Sequence, residues 1–78
     1  MHEVTIKFYG MLAEHAGIKQ MALSGIADLN DINEEICKRY PGIKGLNYIM
    51  ALNNKVAQTN SPLEPDSVVA IMPPYSGG

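Results

Sequence analysis

The amino-acid sequence predicts an α+β domain: one sheet of about five strands, covered by one main helix and a shorter one. Three features lead there. Val4, Ile6 and Phe8 alternate with Thr5, Lys7 and Tyr9, the period of a strand with one face in a core. Leu29, Ile32, Ile36 and Tyr40 recur at spacings of three and four, the apolar stripe of a helix lying on that sheet. Val68 to Met72 is apolar on both faces, as a central strand should be.

The first strand is expected over Glu3 to Tyr9. Gly10 interrupts it, and Met11 to Ala16 has good helix formers that stop at Gly17, the usual left-handed terminator. Ile18 to Leu23 resumes a weak alternation with Met21 and Leu23 inward. Strand, short helix and strand within so few residues predict an antiparallel pair with an enlarged connection. Asn30 or Asp28 can cap the main helix. Asp31, Glu34 and Glu35 sit in its early turns and Lys38 and Arg39 in its last, each where the helix dipole favours that sign. Dipole complementarity accounts for these charges without a binding patch. Pro41-Gly42 is expected to end the helix in a Gly-rich bend running to Gly45. Tyr48 to Leu52 reads as a strand, Asn53-Asn54 as a turn able to take positive φ, and Lys55-Val56-Ala57 as the returning strand. Alternation alone does not decide whether Ile49 and Ala51 or Met50 and Leu52 face inward. Asn60 to Ser67 is turn-rich and is expected to hold one short helical turn.

Bulk properties narrow the function. Seventy-eight residues make one small domain, and 46% apolar with 18% charged residues argues for a folded chain. A net charge of −2, with six scattered basic residues, supplies no electrostatic footprint for nucleic acid. No apolar run approaches the roughly 18 residues of a membrane span. Met1 to Thr5 lacks a secretory pattern, and a lone cysteine excludes an internal disulfide; both lead us to expect a protein of the reducing cytosol.

Catalytic equipment is sparse. His2 and His15 have no partner at metal-ligand spacing, and His15 on a short surface helix is explained as a solvated residue. Cys37 is explained as a small packing residue, since Lys38 and Arg39 alone define no activating pocket. Met21, Met50 and Met72 are assigned to the core. No phosphate-loop pattern occurs around Gly42 or Gly45.

What remains is the end, Pro73-Pro74-Tyr75-Ser76-Gly77-Gly78. Two prolines stop the preceding strand, because neither donates to a ladder. Pro74 to Gly78, extended at roughly 3.3 Å per residue, would project about 16 Å from the domain. A terminal carboxylate without a neighbouring β-carbon could enter a narrow channel and be approached freely by a nucleophile. An ordinary frayed terminus is the other reading of the same residues.

Phe8-Tyr9-Gly10-Met11-Leu12-Ala13-Glu14-His15-Ala16-Gly17, Ile36 to Gly42, Ala51-Leu52-Asn53, Pro62-Leu63 with Asp66 and Val68, and the Pro-Pro-x-Ser-Gly-Gly ending occur in one order. Together they resemble the small subunits of molybdopterin synthase (the MoaD type) in the MoaD/ThiS sulfur-carrier family. Ala13, Pro65 and Tyr75 depart from that pattern. The resemblance implies a β-grasp (ubiquitin-like) fold with a mixed sheet over residues 1–74, and a protruding, flexible tail at 75–78. It implies that Gly78 is adenylated by an E1-like activating enzyme (MoeB type) that uses ATP. The acyl group is then converted to a thiocarboxylate with sulfur from a donor. Gly77 lets the tail thread into a large catalytic subunit (MoaE type). There sulfur passes to cyclic pyranopterin monophosphate, within a heterotetramer, to build the dithiolene of the molybdenum cofactor. The chain itself would bind no cofactor and no metal, and the active site would lie on the large subunit. A carrier for thiamine or another thio-metabolite, and a ubiquitin-like modifier conjugated through Gly78, remain as alternatives.

Overall fold

The computed structural model describes residues 3–74. Their order is β1 (Glu3–Phe8), α1 (Met11–Ala16), β2 (Gln20–Ser24), α2 (Leu29–Arg39), α3 (Pro41–Lys44), β3 (Ile49–Leu52), β4 (Lys55–Ala57) and β5 (Val68–Met72). The strands form one sheet in the order β2-β1-β5-β3-β4. β1 runs antiparallel to β2 and parallel to β5, and β3 runs antiparallel to both β5 and β4. This mixed sheet with helices on one face is the expected β-grasp arrangement. No helix among the described residues is long and apolar enough to cross a membrane.

The local signals act as their chemistry requires. Gly17 closes α1 at φ 74°, ψ 10°, and its N–H donates to the Ala13 carbonyl. Asp28, rather than Asn30, caps α2: its carboxylate accepts from the Asp31 N–H at 2.9 Å, an arrangement worth about 1 kcal/mol. Leu29, Ile32 and Ile36 are buried, and Tyr40 meets Phe8 edge-to-face with ring centroids 6.0 Å apart. Asn53 and Asn54 both take positive φ in the β3–β4 turn.

Register decides the facing that alternation left open. Met50 lies opposite Ile71 and Leu52 opposite Val69, on the helix-covered face with Ile6 and Phe8. Ile49 and Ala51 therefore take the other face. Met72, opposite Ile49, joins them there, which corrects its assignment to the core. Met21 and Met50 do pack against the core.

Three further expectations are revised. Pro41 does not simply end the main helix. It occupies the first turn of α3, where its missing N–H costs nothing, and the turn buries Ile43 completely in what was read as a bend. Tyr48 precedes β3 rather than opening it. Asn60 to Ser67 forms no helical turn. A bridge between Asp28 and Pro62 and the bond from Leu63 N–H to the Ala27 carbonyl pin this segment beside α2, with Leu63 in the core. Ser67, buried, is satisfied by Glu64 on both sides: its hydroxyl donates to the Glu64 carbonyl and accepts from the Glu64 N–H.

Candidate functional site

Gly77 and Gly78, together with Tyr75, Ser76 and His2, lie outside the described residues. The structure does define the base from which the tail departs. β5 is held between β1 and β3; its last rung to β1 is the bond from Tyr9 N–H to the Ile71 carbonyl at 3.0 Å, and its pairing with β3 ends at Met72 opposite Ile49. Pro73 then lies against Gly10, the residue that turns β1 into α1. A β-carbon on Gly10 would stand 3.2 Å from Pro73 Cγ and 3.5 Å from Cδ. Gly10 also adopts φ 58°, ψ −137°, a conformation closed to ordinary L-residues. Backbone angle and lack of side chain thus both serve one contact, which seats the tail's first proline.

The sheet face opposite the helices is apolar on this side. Val68, Ala70 and Met72 of β5, Ile49 and Ala51 of β3 and Val56 of β4 share it, with Val56 57% exposed, Ala51 buried among its neighbours and the others half-buried. Lys7, paired with Ala70, borders the patch on β1. The chain that leads to Gly78 therefore emerges at the edge of a water-facing apolar surface.

A polar cluster occupies the helix side of the same end of the sheet. Tyr48 precedes Ile49, the β3 residue paired with Met72. Its hydroxyl donates to Asn33 Oδ1 of α2, and Cys37 Sγ lies 3.7 Å from that hydroxyl and 3.9 Å from Asn33 Oδ1. Burial first, and the neighbouring thiol second, push the Tyr48 phenol well above its usual value of 10.0. Tyr48 is thus held protonated and cannot act as a base near neutral pH. Cys37 is a half-buried packing residue, as expected, but its neighbour Tyr48 was not anticipated.

His15 is exposed, yet its Nδ1 lies 3.1 Å from where a Gly42 β-carbon would be, so the ring rests on α3 rather than standing in solvent. Among the described residues, no three His, Cys, Asp or Glu side chains gather as a metal site. Arg39 Nε and Glu35 pair at 2.8 Å along α2, a bond that lowers the Glu35 carboxyl. That i, i+4 spacing was legible in the sequence. The Gly10–Pro73 seat was not, because nothing local to either residue reports the other.

A model of the ThiS family matches residues 6–78. The Pyrococcus furiosus protein described as molybdopterin converting factor, subunit 1, has a TM-score of 0.85 at 22% identity, over 96% of this chain and 100% of that one. Small archaeal modifier protein 1 from Methanosarcina acetivorans gives 0.83 at 24%, over 100% and 98%. The complex of subunits 1 and 2 of the molybdopterin-converting factor from Helicobacter pylori matches at 0.71 and 25%, over 97% and 99%. At their identities the first two establish a common fold. No curated protein matches the sequence.

Proposed function

The chain belongs to the ThiS family, and on that footing we propose that it is the sulfur-carrying small subunit of a molybdopterin synthase, working through Gly78 as its C-terminus. A Gly78 carboxylate oxygen attacks the α-phosphorus of ATP on an E1-like activating enzyme, and pyrophosphate leaves. Hydrosulfide supplied by the donor then attacks the acyl carbon, AMP leaves, and loss of the proton from sulfur gives the thiocarboxylate. The resulting thiocarboxylate is delivered to a large subunit, where its sulfur passes to the pterin precursor. The chain needs no resident cofactor for this, because ATP is consumed on the activating enzyme.

The observation that carries this reading is the family match, whose span of residues 6–78 extends to the end of the Gly77-Gly78 pair. Likeness to the Helicobacter pylori complex supports a large subunit as the partner. The described residues add physical support. Pro73, seated on Gly10, stiffens the tail's base and reduces the entropy lost when it threads a channel. The apolar face of β5, β3 and β4 gives a partner a surface to grip beside that channel.

The test is intact-mass analysis after incubation with ATP, an E1-like activator and a sulfur donor. Replacement of one oxygen by sulfur at Gly78 is the expected result, followed by transfer to the pterin precursor when the large subunit is added. Deletion of Gly78 should abolish loading while leaving the unfolding midpoint unchanged. An unmodified mass under conditions that load a known carrier would sink the proposal. Loading without transfer would assign another thio-metabolite, and conjugates to lysines of other proteins would make the chain a modifier.

A further inference from the structure

The two edges of the sheet are protected very differently. β4 is three residues long and carries Lys55, the short and charged kind of edge that resists pairing. β2 is five residues long, Gln20 to Ser24, with no charge and no proline. Its hydrogen-bonding phase follows from the ladder. Phe8 N–H donates to the Lys19 carbonyl at 2.8 Å, so Phe8 and Lys19 form a bonded pair. Alternation along the register makes Ile6 with Met21 and Val4 with Leu23 the next bonded pairs. The other edge of β1 agrees, since the Thr5 and Tyr9 N–H groups turn towards β5. The backbone groups of Gln20, Ala22 and Ser24 are therefore directed away from the sheet.

We propose that this edge is a homodimerisation surface, on which β2 of a second copy pairs antiparallel about a dyad through Ala22. In that register Ala22 faces Ala22 and Gln20 faces Ser24 twice, so all three outward residues of each copy bond and six N–H···O bonds form. A dyad displaced to Met21 or Leu23 would leave Ser24 or Gln20 without a β2 partner. Side chains in the join are compatible. Gln20, exposed Ala22 and Ser24 meet on one face; half-buried Met21 meets Leu23 on the other. No like charges oppose each other.

Charge favours a second copy as the occupant. Lys19 shares the helix-side face with Phe8 and lines a hollow with Ala13. Across the dyad, one residue beyond each strand end, it approaches Gly25 of the other copy, where the chain bends at φ 74° and no side chain blocks it. Gly25 borders a depression lined by three carboxylates, Asp31, Glu34 and Glu35, against one cation, Lys38, so that it is acidic on balance. Each lysine thus faces the other copy's acidic hollow. The join leaves Pro73 and the apolar face of β3–β5 uncovered, so the inference does not rest on the proposed function. A single strand pair buries less than a stable interface needs, so the association is expected to be weak and to show only at high protein concentration.

Sedimentation equilibrium of the full chain under reducing conditions, from about 20 μM to 2 mM, tests this. A reversible monomer–dimer equilibrium is expected. Ala22→Lys, which places two lysines across the dyad, and Ala22→Pro, which removes an outward N–H that bonds nothing among the described residues, should each weaken it by at least about tenfold. Ala22→Lys carries the test if the proline variant does not fold. Lys19→Glu should also weaken association, and Lys19→Glu with Glu34→Lys should restore it. A monomer at the highest concentration, or association unchanged by Ala22→Lys, would overturn the proposal. Failure of the charge swap to restore pairing would overturn the register.

Discussion

Gly10→Ala puts the seat of the tail to a quantitative test. At φ 58°, ψ −137° an L-residue is strained by about 1–3 kcal/mol wherever its side chain points. Here the new methyl also lands 3.2 Å from Pro73 Cγ, an atom of a rigid ring on a strand end held by the Tyr9–Ile71 bond. Relieving that approach by a few tenths of an ångström adds about 1 kcal/mol, the low end of overpacking costs. The expected loss is therefore about 2–4 kcal/mol. A chain of 78 residues has a total stability of roughly 4–12 kcal/mol, so the melting temperature should drop by about 10–25 °C. Urea unfolding followed by far-ultraviolet circular dichroism measures this, with a lower midpoint and an unchanged m-value. A cycle with Pro73→Ala separates the contributions. The steric part, about 1 kcal/mol, should vanish in the double variant, whereas the backbone strain should persist. A Gly10→Ala protein within about 0.5 kcal/mol of wild type would refute the strain argument. Strict additivity in the cycle would refute the Pro73 contact.

Ile43→Ala should cost about 2–5 kcal/mol by the same urea assay, because the side chain is fully buried; a loss below about 1 kcal/mol would show that α3 is peripheral. Tyr48 should ionise above the usual phenol value of 10.0 in an ultraviolet titration, with Tyr48→Phe identifying its step. Its folded value is raised, so its contribution to stability is present below pH 10.0 and is lost as pH rises through the higher folded value. Cys37→Ala should lower that step without returning it to 10.0, since burial is the larger cause; a return to 10.0 would reverse that ranking. Glu35 has the opposite sign: its carboxyl is lowered from 4.5, mainly by Arg39, so its contribution is present above that value and lost as pH falls through the folded one. The urea midpoint of wild type should therefore fall more steeply below pH 4.5 than that of Glu35→Gln, and parallel acid limbs would refute the pair's role.

The sequence by itself determined the features that depend on near neighbours. The period of Val4, Ile6 and Phe8 and the stripe of Leu29, Ile32, Ile36 and Tyr40 specify strand and helix, because a side chain's direction follows from local dihedral angles. Gly17 and Asn53-Asn54 specify an end and a turn, because each meets a demand of the backbone within a few residues; for the start of the main helix the sequence offered Asn30 or Asp28, and the structure selected Asp28. The ordered motifs ending in Gly77-Gly78 indicated the family for a related reason: they are read along the chain and need no fold to be recognised.

Tertiary structure decided what depends on residues distant in sequence. Met50 and Leu52 face inward only because β5 sets their register, and the same pairing turns Met72 outward. Ile43 sits in a Pro-Gly segment whose local signals say bend, and only packing beside α1 and α2 shows that it belongs to the core. Leu63 becomes core because Asp28 and Ala27 tie its loop beside α2. Gly10 has no local reason to meet Pro73; parallel pairing of β1 with β5 brings them together. The unprotected edge of β2 likewise exists only once the strand order is known. Whether a hydrogen-bonding group is satisfied is a property of the assembled sheet, not of the strand that carries it.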